Sequence, residues 1–161
     1  MRQRPEPEDD ADRDLIAKID KFGWAVRLVG DAEGDSPNFQ YSAGITDRCG
    51  SPELLVIGLA QKVGHWVVNE YAQRCVAGET FDAGRTYDGF LEGHLIIFLD
   101  VDSRLASAEY TTWTDWYYQR KGFPLRQLVW PDKAGVFPWQ AGFPEELRRL
   151  QPILGKPPQL H

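Results

Sequence analysis

Two pairs of polar residues stand at a spacing that chemistry can use. Glu92 and His94 are two apart, so on an extended chain both point to one face, where a carboxylate and an imidazole hold a metal or share a proton. The competing reading is ordinary polarity at a strand edge. A metal would also need His65 or acids from elsewhere, because the chain has three histidines and His161 is its last residue. No metal and no cofactor is therefore assigned. Asp100 and Asp102 repeat the same-face geometry after an apolar run, as a Mg²⁺ pair or as turn formers. Arg48 beside Cys49 favours a thiolate, yet no base accompanies it, and such a loop cysteine is usually inert. His65, next to Trp66, reads as a histidine at the surface or the edge of the core. No GxGxxG follows a strand, no GxxxxGK[ST] occurs, and neither Ser42 nor Ser51 sits in a GxSxG elbow, which disfavours nucleotide binding and serine hydrolysis.

These residues are carried by short elements. Leu15, Ile16 and Ile19 make one stripe of a helix over 12–21 that Gly23 ends. Residues 24–29 and 39–45 read as strands around a Gly, Asp, Ser and Pro turn, and 46–52 as a loop. Residues 53–59 are apolar on both faces, which suits a covered strand. Val63, Val67, Tyr71 and Cys75, four apart, predict a helix over 61–76. Residues 79–91 and 93–101 read as antiparallel strands with glycine irregularities. A helix over 103–119, breaking near Tyr110, precedes a strand at 125–130 and a short helix at 145–150. Seven of the eleven prolines fall from Pro124 onward, so the last quarter should wrap the core in fixed turns. The expectation is one α+β domain over 12–154, a mostly antiparallel curled sheet flanked by two to four helices. A flexible acidic segment, 1–11, precedes it and an extended tail, 155–161, follows.

The 161 residues suit a single core, and 42% hydrophobic with 26% charged residues excludes a wholly disordered chain. A net charge of −6 supplies no cationic field for nucleic acid. Residues 1–20 lack the apolar region of a signal peptide, and the apolar runs are too short to span a bilayer, so no membrane association is expected. Cys49 and Cys75 match no redox or zinc spacing, which points to free thiols and a cytoplasmic location.

Aromatic residues are the strongest remaining signal. Tyr110, Trp113, Trp116, Tyr117 and Tyr118 exceed what one buried helical stripe holds, so some line a cleft or join a broad aromatic core. In Trp130-Pro131-Asp132 and Phe137-Pro138-Trp139, proline stiffens a loop that carries an indole. These blocks, together with Phe22-Gly23-Trp24, residues 39–45 and 52–59, Gly78-Glu79, Gln127 to Asp132 and Gln151-Pro152 with Leu154, resemble the bacterial domain of unknown function 4262 family over about 22–154. The resemblance implies no activity and no catalytic residue; it leads one to expect Thr where Ser42 stands. Glu53 opens an otherwise apolar strand and needs a partner or a rim position. Tyr41, Glu53, Gln127, Trp130, Asp132 and Trp139 are expected to edge one cleft, or else to clasp the core shut, with His65, Glu92 and His94 as weaker candidates. The functional expectation is a binding or interaction domain for a small ligand or protein, such as an inhibitor or immunity-type partner of a basic target. The alternative is a small enzyme using Glu53, Asp132 and His94 on a compact substrate.

Overall fold

The computed structural model describes residues 4–158. The outer ends of the expected acidic segment and tail, 1–3 and 159–161, lie outside the described residues. Helix α1, Asp10–Phe22, begins where the Asp9 side chain accepts from the Asp12 amide, two residues before the expected start. It closes on Gly23, whose φ of 95° lets its N–H reach the Ile19 carbonyl. The chain continues through β1 (Ala25–Val29), β2 (Phe39–Ala43), α2 (Ile45–Cys49), β3 (Glu53–Ile57) and α3 (Gln61–Val76). A hairpin of β4 (Thr86–Leu91) and β5 (His94–Val101) follows, then α4 (Ser103–Ala106), α5 (Thr112–Tyr117), β6 (Leu125–Val129) and α6 (Glu145–Leu150).

The α+β class holds, with two differences from the expectation. The six strands form one open sheet in the order β1-β2-β3-β6-β5-β4, and β3 pairs with β6 in parallel while the other pairings are antiparallel. The sheet is therefore mixed, because the long excursion through α3, the hairpin and α5 brings β6 back beside β3 in the same direction. There are six helices among the described residues, where two to four were expected. Two of them, α4 and α5, divide the segment read as one helix over 103–119 with a break near Tyr110. α2 occupies the segment read as a loop.

Both faces of the sheet are covered, as the composition of β3 demands, and all five of its residues are buried. Leu54 and Val56 join Leu128, Ile96 and Phe98 beneath Val67, Val68, Tyr71 and Ala72 of α3. On the opposite face Tyr41, Leu55, Ile57 and Leu125 pack with Val101 and Ala106. The buried stripe of α3 differs from the expected one: Val68 and Ala72 are inside and Val63 is exposed. No helix among the described residues is long and apolar enough to cross a membrane.

Gly64 sets how closely α3 approaches the sheet. A Cβ there would stand 1.7 Å from Oε1 of the buried Gln40 side chain, whose Nε2 donates to Gln61 Oε1 at 2.7 Å. Gly64→Ala is accordingly expected to lower unfolding free energy by about 1–3 kcal/mol through overpacking. Adding Gln40→Ala should restore much of the loss in urea denaturation. Wild-type stability of the single variant would contradict the close approach.

Candidate functional site

Glu53, the charged residue expected to need a partner, is fully buried and has five donors. β2 ends at Ala43, and Gly44 turns the chain with a φ of 106°, a conformation that glycine adopts without strain. A side chain at Gly44 would also press on Ile19. The turn aims successive amides at the start of β3, which runs antiparallel alongside. Gly44 and Thr46 N–H donate to Glu53 Oε2 at 3.1 and 3.0 Å, and Ile45 N–H and the Ser42 hydroxyl donate to Oε1 at 3.2 and 2.7 Å. The Tyr118 hydroxyl donates to Oε2. The carboxylate thereby satisfies orphan amides at the N-terminus of α2 from eight or so residues downstream in sequence. Ser42 Oγ also accepts from the Leu54 amide at 2.9 Å, so the hydroxyl at position 42 joins two strands.

The same cluster anchors α5. Tyr117 donates to Asp47 Oδ2 at 2.8 Å, Thr114 Oγ1 donates to the Ser42 carbonyl at 2.7 Å, and Tyr41 Oη accepts from the Trp113 amide at 3.2 Å. Burial, then the adjacent Glu53 charge, pushes the Tyr118 phenol well above its ordinary value. Burial also raises Tyr41. Glu53 is thus a structural anion with no donor-free edge turned to solvent.

The other four members of the expected cleft divide between a clasp and a surface loop. Gln127 Nε2 donates to the Pro152 carbonyl at 2.8 Å and its Oε1 accepts from Leu154 at 2.9 Å. Trp130 is buried, its indole donates to the Ile57 carbonyl at 2.8 Å, and Gln151 bonds both its amide and its carbonyl at 2.9 Å. Asp132 Oδ1 accepts from Ala134 and Val136 in a tight turn. Trp139 stacks on Phe137 with ring centroids 5.4 Å apart and lines a recess with Pro138, Arg148, Gln151 and Ile153. Tyr41, Glu53, Gln127 and Trp130 are interior, while Asp132 and Trp139 are half-buried.

The weaker candidates occupy three separate recesses. Leu91 pairs with His94 across a turn at Glu92 and Gly93, so the extended geometry expected for Glu92 and His94 is absent. His94 lines a recess with Pro131 and Lys133, while Glu92 borders a recess of about 490 Å³ with Val63, Trp66, Phe90 and Leu91. His65 borders a wider one of about 1120 Å³, between α1, β1 and α3. Asp100 pairs with Arg126 at 3.0 Å, and Asp102 caps α4. Among the described residues no group of three His, Cys, Asp or Glu is placed to hold a metal. Cys49 is an exposed free thiol and Cys75 a buried one, pushed up by burial.

Spacing along 61–76 puts Trp66 alongside the apolar stripe of the helix, whereas the structure leaves it exposed, at the border of two of these recesses together with Lys62. Trp66 is 54% exposed and borders both, with Val63 on one side and Phe22 and Leu28 near the other, all exposed. The available signal was its neighbourhood, because His65, Asn69 and Glu70 mark a polar side of α3 on which a tryptophan is out of place.

Glu53→Gln puts a donor among donors and is expected to lower stability by about 3 kcal/mol, against about 1–2 kcal/mol for Tyr118→Phe. Because the Tyr118 phenol is raised in the folded state, the stability tied to it is complete below about pH 10 and declines as unfolded tyrosine ionises above it. Denaturant titrations of both variants from pH 7 to 11 check this; equal stability of Glu53→Gln and wild type would contradict it. A family model described as Domain of unknown function (DUF4262) matches residues 18–144. No curated protein and no solved structure matches the chain.

Proposed function

The chain belongs to the domain of unknown function family DUF4262, and we propose that it is a binding domain that engages a partner through the recesses flanking Trp66. The supporting observation is the exposed indole itself. A large rigid aromatic side chain held on a packed helix, between an apolar hollow and a wider one of mixed lining, is the kind of anchor on which interfaces concentrate their energy. The helix beneath it is fixed by Val67, Val68, Tyr71 and Ala72, so the anchor stands on a rigid base.

The enzyme reading has less support. Its best carboxylate, Glu53, is saturated by donors, and none of Glu53, Asp132, His65 and His94 is hydrogen-bonded to another. General acid–base chemistry needs such groups within reach of one substrate. An inhibitory role toward a basic target rests on the net charge of −6 alone.

Site-specific photocrosslinking tests the reading. With p-benzoylphenylalanine in place of Trp66, irradiation of cells making the protein should give a discrete adduct. The same group in place of Leu105, exposed on α4, should give none. Trp66→Ala should change stability by no more than about 0.5 kcal/mol, as for other surface substitutions. No adduct at 66, or the same adduct from both positions, would overturn the proposal.

A further inference from the structure

We propose that the free edge of β1 takes an extended, acidic peptide segment as a seventh strand. This rests on the binding reading and goes beyond it by naming the occupant. β1 is the terminal strand of the sheet, paired only with β2, so one side of its backbone lacks a strand partner. Its five residues keep an uninterrupted register with β2. The opposite edge, β4, differs: its register shifts between Tyr87 and Leu91, and Gly89 takes a φ of +89° there. Bulges of that kind block strand addition, and β1 has none.

The wider recess follows that edge. Residues 24–28, the whole run from Trp24 through most of β1, line it consecutively, with α1 on one side and α3 on the other. A strand edge sunk between two helical walls is the geometry of peptide capture by β-augmentation, in which backbone pairing gives affinity and alternate side chains give selectivity. Five residues of antiparallel pairing span about 17 Å. Leu28 and Trp66 offer apolar contact on the α3 side, and Trp113 offers it on the other.

Charge selects the partner. The recess is lined by Lys18, Arg27 and Lys62 against one acid, Asp14, in a chain whose net charge is −6. Lys18 already pairs with Asp14 at 3.0 Å. Among the described residues Arg27 and Lys62 enter no ion pair; the Arg27 guanidinium lies 3.8 Å from the centre of the Trp113 ring. Two cations beside a vacant strand edge favour carboxylates on the incoming segment. They disfavour a second copy of this chain, whose β1 would bring its own Arg27 and Lys62 to the same place.

A bead library tests this. Its peptides, of about eight residues to cover the edge, have Val, Ile, Leu or Phe at alternate positions and Asp, Glu, Lys, Arg or Ser between. Selection on the full chain should enrich Asp and Glu. N-methylation of alternate residues along one peptide edge should weaken binding about tenfold or more, by removing ladder hydrogen bonds. The Arg27→Glu, Lys62→Glu double variant should select Lys and Arg instead. Bound peptides indifferent to N-methylation on either edge would overturn strand addition. So would a concentration-dependent dimer with no peptide selected, which identifies a second copy as the occupant. Either of those results with the Trp66 adduct intact leaves the binding reading standing, whereas loss of the adduct as well removes both.

Discussion

A buried carboxylate organises this molecule. Glu53 accepts from three consecutive amides, a serine hydroxyl and a tyrosine phenol, which belong to the end of β2, the start of α2 and the end of α5. An anion stripped of water is tolerable only with such compensation, and here the compensating donors are the orphans of a helix start that would themselves be costly to bury. Each half of the arrangement therefore requires the other. The chain reversal at Gly44, the five-residue helix and the docking of α5 are fixed together, and the sheet face under α5 closes.

That commitment keeps the most heavily bonded polar groups away from the exposed faces of the molecule. The isolated glutamate and the proline-braced indole at Trp130 belong to the interior, where Gln127 and Gln151 bind the C-terminal segment to the sheet. The features left at the surface lie across the sheet and at its edge: Trp66 on α3, and the unpaired side of β1 between two helices. The overall negative charge gives no hint of this, since the residues lining that edge are locally cationic. Global charge governs long-range attraction; side chains beside a groove govern what fits it.

Periodicity made the long elements legible. The bounds of the sixteen-residue α3 match the expected 61–76, the short α6 ahead of Gln151 and Pro152 matches 145–150, and the double-sided apolarity of β3 foretold its position between two layers. α2 was not legible, because the group that caps it is Glu53, beyond its own sequence window. The parallel pairing of β3 with β6 depends on a crossover that no local pattern encodes. For the site, the charge of Glu53 in an apolar strand calls for a partner or a rim position, and five donors in the interior supply the partner. Val63 was assigned to the buried stripe by strict four-residue spacing; the 3.6-residue turn moves that stripe toward Val68 and Ala72 and leaves Val63 beside Trp66 at the surface. Glu92 and His94 failed as a pair because the chain turns at Glu92 and Gly93 instead of extending.

The most direct measurement is native-state hydrogen exchange at the Gly44, Ile45 and Thr46 amides. Held by a buried carboxylate, all three should open only with the β3 core and share its protection, although α2 is a single short helix near the surface. Exchange at the pace of the 31–36 turn would mean that the Glu53 anchor is not formed, and the account built on it would fall.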